Sequence, residues 1–324
     1  MNRTITLGTA MAIDASLGDP KSWPHPVSAI AAIAAFCEHR MRVPEQSPTQ
    51  QRCAGVGAWT AVIGCTAVGT WGLLFVTRRI SPRFSEFVES AMIASTLSLR
   101  SLLDHVEAVV DALEQSNLEE ARRNLSRIVG RDTRDLDISE ICRASIETLA
   151  ESTCDGIVAP LMYAVLSGPT AAMRYKAINT LDSLFGHIEP PYTYFGYCAA
   201  KMDDLANFLP ARLTAFAIIA SSQFLNDNGK TALETFRVDR RKHRSVNAGQ
   251  CEAAMAGALH VRLGGTNTYD GVPTPSPHLG ANYSPPRIGD VRHAIRLVTA
   301  ATALCYAAAL TACIFRERNM HARR

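Results

Sequence analysis

Three carboxylates, Glu147, Glu151 and Asp155, recur every four residues. On an α-helix that spacing places all three on one face, where each pair repels by roughly 0.2–0.5 kcal/mol unless a cation or a basic side chain sits among them. A solvated acidic face gives the same spacing, but this one runs straight into the uncharged stretch 156–173, where water is least available. Such a face could supply a general base (Glu147, Glu151) and a ligand for a hard cation (Asp155). Further along, Lys176, Asn179 and Ser183 share a helical face with Asp182 beside them. An ammonium, an amide and a hydroxyl form a cradle for phosphate or carboxylate, although an ordinary amphipathic helix would show the same pattern.

Lys201, Asp203, Asp204, Asn207 and Arg212 form another polar group at the mouth of an apolar stretch. Ionisable residues beside membrane segments are functional candidates, and paired aspartates suit Mg²⁺, which binds through one or two carboxylates plus substrate phosphates. The run Ile128-Val129-Gly130-Arg131-Asp132-Thr133 offers Arg and Thr donors around a Gly turn, and a helix C-cap at Gly130 explains it equally well. No Gly-x-x-x-x-Gly-Lys-Ser/Thr, Gly-x-Gly-x-x-Gly or His-Glu-x-x-His occurs, so P-loop, Rossmann and zincin chemistry are unsupported. The basic run Arg237–Arg244 fits a stop-transfer or lipid-headgroup patch better than a catalytic one.

The elements that must position these groups follow from where charge is missing. Only 19% of the 324 residues are charged, and 33 basic against 30 acidic residues leave +3, too balanced for a nucleic-acid binder. Nine cysteines without a Cys-x-x-Cys argue against a disulfide framework or structural zinc site. Residues 54–77 and 297–315 are uncharged for 24 and 19 residues and are flanked by arginines. About 20 apolar residues cross a bilayer as helix, and the many glycines and alanines here suit close helix packing in lipid. Residues 156–173, broken by Pro160 and Gly168-Pro169, read as a kinked span or a re-entrant hairpin. Residues 205–225 span if Arg212 faces inward or snorkels. The first 20 residues lack a signal peptide's layout.

The segments Arg78–Ala150 and Asn226–Arg296 carry ten Lys or Arg each, against none in Ala177–Ala200, which places both on the cytoplasmic side. The Arg-rich tail after Phe315 then falls on the far side unless the number of spans changes. Residues 78–155 read as polar helices, one through Phe87–Leu113, one from Leu118 towards Gly130, and one N-capped at Ser139 with Asp137 nearby. No sustained two-residue alternation is evident. The expectation is an all-α, multi-pass integral membrane helical bundle of four or five spans with a cytoplasmic helical segment, forming one domain over 1–324.

These groups, in this order, resemble the CobD/CbiB cobalamin biosynthesis family, the adenosylcobinamide-phosphate synthases. The likeness runs through Leu17-Gly18-Asp19-Pro20, Pro24-His25-Pro26-Val27, Ile128–Thr133, Arg143-Ala144 with Ile146-Glu147, and Asp155–Leu161. It continues through Tyr175–Ser183 (YKAINTLDS), Tyr194-Phe195-Gly196, Asp203-Asp204 with Asn207, and Pro210–Thr214. Asn247-Ala248-Gly249, Ala253–Leu259 and Arg262-Leu263-Gly264-Gly265 close it. The resemblance implies a multi-pass enzyme of the cytoplasmic membrane. It would join adenosylcobyric acid to 1-amino-2-propanol O-phosphate, with ATP and Mg²⁺ as co-reactants and other enzymes of the pathway as neighbours. A carboxylate is a poor electrophile, so ATP would first turn it into an acyl phosphate for the amine to attack.

That chemistry assigns Glu147, Glu151, Lys176 and Asp182 to catalysis. It assigns Arg131, Asp132, Asn179, Asn207, Arg212 and Asn247 to phosphate and substrate, and Asp203, Asp204 and Asp155 to the metal. The chain departs from the family pattern at Ser152 (usually Asn), at Lys201 before the paired aspartates (usually Arg) and at Val246 (usually Pro). Lysine cannot reproduce a bidentate arginine contact. A divergent paralogue forming another amide, and a non-catalytic sensor or transport-associated protein on the same scaffold, are the competing readings.

Overall fold

A computed structural model of the chain describes residues 3–18, 25–43, 45–186, 190–226 and 228–321. Asp19, Pro20 and Pro24 of the opening motifs lie outside the described residues. The elements are α1 (Arg3–Leu17), α2 (Pro26–Met41), α3 (Pro48–Ile80), α4 (Pro82–Ala94), α5 (Leu99–Glu114), α6 (Leu118–Leu125) and α7 (Ile138–Thr153). A single π-helical turn, Cys154–Val158, joins α7 to α8 (Ala159–Ser167). Then follow α9 (Pro169–Phe185), α10 (Tyr197–Ala206), α11 (Phe208–Asn226), α12 (Gly229–Asp239), α13 (Ala248–Leu259), β1 (Leu263–Tyr269), β2 (Val272–Leu279) and α14 (Ile288–His321).

Local chemistry sets most boundaries. Prolines occupy the first turn of α2, α3, α4 and α9, where the missing N–H costs nothing. Ser47 with Gln50, and Asp137 with Glu140, form reciprocal capping boxes that start α3 and α7. The cap of α7 is therefore Asp137, two residues before the Ser139 expected; Ser139 instead donates to the Pro286 carbonyl at 3.2 Å. The long periodic run 87–113 is divided between α4 and α5 by a turn at Ser95-Thr96, whose hydroxyls bond back to Met92 and Ile93 carbonyls.

Among the described residues, four helices are long and apolar enough to cross a membrane: Pro48–Ile80, Ile138–Ser167, Phe208–Leu225 and Ile288–Asn319. Three of these helices cover most or all of the apolar stretches 54–77, 205–225 and 297–315. The fourth differs: the apolar helix is 138–167 rather than 156–173, because Pro160 sits in the first turn of α8 and the only break is at Gly168-Pro169. On α3 the surface-facing residues are themselves apolar, with Val68 69% and Trp71 63% exposed, the pattern of a helix facing lipid.

The described residues divide into two compact units. Unit 1 comprises 1–98, 159–207 and 308–324; unit 2 comprises 99–158 and 208–307. In unit 1, α3 and α9 pack together with α2, α4 and α10 around Ile30, Val62, Leu181, Phe185 and Phe195. In unit 2, α13 is the central helix, packed by α7, α11 and α12, and every residue from Ala248 to Ala258 is buried.

The helical architecture expected from the sequence carries, among the described residues, one small two-stranded sheet. Residues 263–279 form an antiparallel hairpin around Asp270-Gly271, both at positive φ. Three prolines at alternate positions of β2 (Pro273, Pro275, Pro277) masked its strand signal, and their missing N–H groups protect an edge from further pairing.

Candidate functional site

Both units hold polar groups built from the candidate residues. In unit 2, α7 carries Arg143, Glu147 and Glu151 on one face, and Glu147 is its anchor. Glu147 Oε2 accepts from Arg131 Nη2 at 2.6 Å, and Oε1 accepts from Arg143 Nη1 at 3.1 Å and from the Gly264 N–H at 2.8 Å. Arg131 also donates to Asn267 Oδ1 at 2.8 Å, and Arg143 to the Thr266 carbonyl at 3.3 Å. Two guanidinium groups and a carboxylate, all largely buried, are thus tied to β1 as one fixed assembly.

Gly264 is essential to that geometry. Its φ is +76° at an irregularity of the hairpin, and a Cβ there would lie 2.2 Å from the Pro277 carbonyl oxygen. The Arg262–Gly265 motif is explained by this contact: it delivers a backbone N–H to Glu147.

Two more acids join this group. Glu151, one turn beyond Glu147, is exposed. Glu252, from the alanine-rich α13, is 5% exposed, and burial together with the Glu147 and Glu151 charges holds its carboxyl well above the usual range. The His243 ring stands 3.9 Å from it. Beside Arg143 opens a cavity of about 380 Å³ lined by Arg262, Gly264, Gly265, Thr266 and His278. The predicted trio of acids is therefore realised differently: α7 ends at Thr153, Asp155 falls in the π-helical turn, and the third carboxylate beside Glu147 and Glu151 is Glu252. Asp132 ties its loop to the hairpin, its carboxylate accepting from Gly271 N–H at 2.8 Å and its N–H donating to the Thr268 carbonyl.

In unit 1, α9 brings Lys176, Asn179 and Asp182 against α10 with Asp203 and Asp204. Asp203 Oδ2 accepts from Asn207 Nδ2 at 3.0 Å, and Asn207 Oδ1 accepts from the Tyr175 hydroxyl at 2.8 Å. The other oxygen, Oδ1, is buried and has no hydrogen-bond partner. Burial first, then the Asp182 carboxylate, push the Asp203 carboxyl up to about 7, against the Asn207 and Asn179 amides, which favour its charged form. Asp204 pairs with Lys201 at 3.0 Å on the surface. Ser183, expected in the cradle, bonds back to the Asn179 carbonyl of its own helix.

Among the described residues no group of three or more His, Cys, Asp or Glu is arranged to enclose a metal ion. The three candidate ligands are also divided, Asp155 lying in unit 2 and Asp203 and Asp204 in unit 1. The orphaned Asp203 oxygen, crowded by Asp182 and Asp204, nevertheless fits a divalent cation whose remaining ligands come from substrate phosphates.

Arg212 and Asn247, both predicted, meet directly: Nη1 donates to Asn247 Oδ1 at 2.9 Å. The Val246 carbonyl also accepts from Arg212, at 3.4 Å, and from Gln250, at 3.0 Å. Since a carbonyl carries both contacts, the usual proline would supply them as well. Arg143, Glu252 and Gly264 were not predicted as site residues. Arg143 was legible as the i−4 partner of Glu147, and Glu252 as the single charge in an otherwise apolar helix.

The family model described as "CobD/Cbib protein" matches residues 7–298. A "Cobalamin biosynthesis protein CobD" of Leptospira interrogans is 42% identical over 85% of this chain and 86% of its own. The CobD of Photorhabdus laumondii is 40% identical over 91% and 92%, and the CbiB of Salmonella typhimurium 39% identical over 94% and 95%. No solved structure gives a significant match. With a family model covering nearly the whole chain and relatives at about this identity over most of both lengths, the chain belongs to the CobD/CbiB protein family.

Proposed function

We propose that this protein acts in cobalamin biosynthesis as an amide-forming enzyme of the cytoplasmic membrane. It joins the propionate carboxyl of adenosylcobyric acid to the amine of 1-amino-2-propanol O-phosphate in an ATP-dependent reaction. The observation that carries the reading is Asp203: half-buried, with a buried Oδ1 that has no hydrogen-bond partner, beside two more acids and on the same helix pair as Lys176. That grouping favours a phosphate-bound cation.

In this reading Asp203 and Asp204, with Asp182 near, would hold Mg²⁺, which would supply charge to offset the phosphates of the nucleotide substrate. Lys176 and Asn179 orient the phosphate chain. In unit 2, Arg131 and Arg143 are held as fixed cations by Glu147, whose two oxygens are both occupied and which therefore positions them. Glu151, the one accessible carboxylate of its trio, takes the proton released when the amine forms the C–N bond and phosphate leaves.

The test is turnover by purified variants. Asp204→Asn removes the charge from a surface ion pair worth about 0–1 kcal/mol, so the protein stays folded while turnover falls by about a hundredfold or more, a loss typical of removing one charge-stabilising group. Lys176→Gln is expected to behave likewise. Wild-type turnover in both variants would remove unit 1's polar group from the reaction.

A further inference from the structure

The basic run Arg237–Arg244 is not one uniform patch. Arg237, Arg241, Lys242 and Arg244 are exposed, whereas Arg240 is half-buried with its Nε buried and without a hydrogen-bond partner. Its Nη1 reaches only Gln250 Oε1, at 3.5 Å, and its guanidinium lies over Phe236, 5.1 Å from the ring centre. Gln250 in turn donates to the Val246 carbonyl, the same oxygen that accepts from Arg212. Arg212 and Arg240 are thus linked through one short polar chain.

Neither arginine forms an ion pair among the described residues. An arginine has five N–H donors. Arg212 uses three, on the Phe208 carbonyl (2.7 Å), Asn247 and Val246, and its plane rests on the Phe208 ring at 3.7 Å. Two donors of Arg212 and most of those of Arg240 are left over. Two like charges held together on aromatic faces, with unspent donors and no carboxylate, are arranged for an external dianion rather than for fold stability. A carboxylate would be satisfied by one fork; a tetrahedral phosphate dianion can accept from both.

We propose that Arg212 and Arg240, oriented by Asn247 and Gln250, form a binding site for the terminal phosphate of an organic phosphate. The inference rests on the reading of this chain as an enzyme that uses phosphorylated substrates, and it adds Arg240 to the residues that serve it. A soluble phosphate monoester or nucleotide and the phosphate of a lipid headgroup present the same chemistry to this pair.

The experiment uses the full chain in nanodiscs of phosphatidylcholine, titrated by calorimetry with inorganic phosphate and with ATP without Mg²⁺. Arg240→Gln and Arg212→Gln should each weaken binding at least about tenfold, the low end for one hydrogen bond to a charged group. Arg240→Lys, which keeps the charge but not the fork, should fall between, and Arg241→Gln on the exposed side should bind as wild type. If phosphatidic acid in the disc abolishes the wild-type titration and leaves residual binding by Arg240→Gln unchanged, the phosphate is a lipid's; if it has no effect, the ligand is soluble. Equal binding by wild type and Arg240→Gln, or equal losses in Arg240→Gln and Arg241→Gln, overturns the site. Binding is read without turnover, so a wild type that binds phosphate but forms no amide overturns the ligase reading and leaves this site standing.

Discussion

Glu147 concentrates the consequences of a single side chain. It is 5% exposed and compensates two largely buried guanidinium groups. Removing one partner of a buried ion pair typically costs about 3–5 kcal/mol because the other charge stays buried. Glu147→Gln should lower the thermal midpoint of the detergent-solubilised protein accordingly; a midpoint unchanged from wild type would show that the arginines are solvated. Glu252 makes the opposite prediction. Its folded-state pKa is raised, so above the ordinary carboxylate value the folded state holds more protons than the unfolded one. Stability is therefore lost as pH rises from about 4.3 through the raised value, by at most about 1.4 kcal/mol per unit. Glu252→Gln cannot ionise and should flatten that slope in melts from pH 5 to 9; parallel slopes would place the titration elsewhere.

At the scale of elements, α3 shows how one helix serves both lipid and core. A Cβ at Gly55 would lie 1.9 Å from the Phe195 carbonyl oxygen, while nothing stands within 4 Å of one at Gly64. Gly55→Ala should then cost about 1–3 kcal/mol or more through overpacking against backbone, whereas Gly64→Ala should be neutral or slightly stabilising. Comparable melting of the two variants would refute the close approach of α3 to residue 195. The long apolar helices were legible because missing charge over about 20 residues has few other causes. The hairpin was not, because Pro273, Pro275 and Pro277 erase the β signal of a strand paired on one side only. The acidic face of α7 was legible up to Glu151 and failed at Asp155, where the π-helical turn ends the four-residue rule. Glu252 was legible as the one charge of its helix, but its place beside Glu147 and Glu151 was not, because five helices and about a hundred residues separate them in sequence.

For the whole molecule, both compact units are built from separated chain segments; the polar group of unit 2 joins residues 131–151 to residues 243–267, whereas that of unit 1 lies within residues 175–207. Four helices able to cross a membrane and an exposed apolar surface on α3 predict that the chain stays with membranes after alkaline carbonate washing; release into the soluble fraction would contradict the membrane reading. The central claim is that this assembly makes an amide bond at the expense of ATP. Its most direct test is mass spectrometry of the detergent-solubilised chain incubated with adenosylcobyric acid, 1-amino-2-propanol O-phosphate, ATP and Mg²⁺. The account predicts a corrinoid heavier by the amine minus one water, formed only when ATP is present. An unchanged corrinoid from folded protein, with both substrates and ATP supplied, would contradict it.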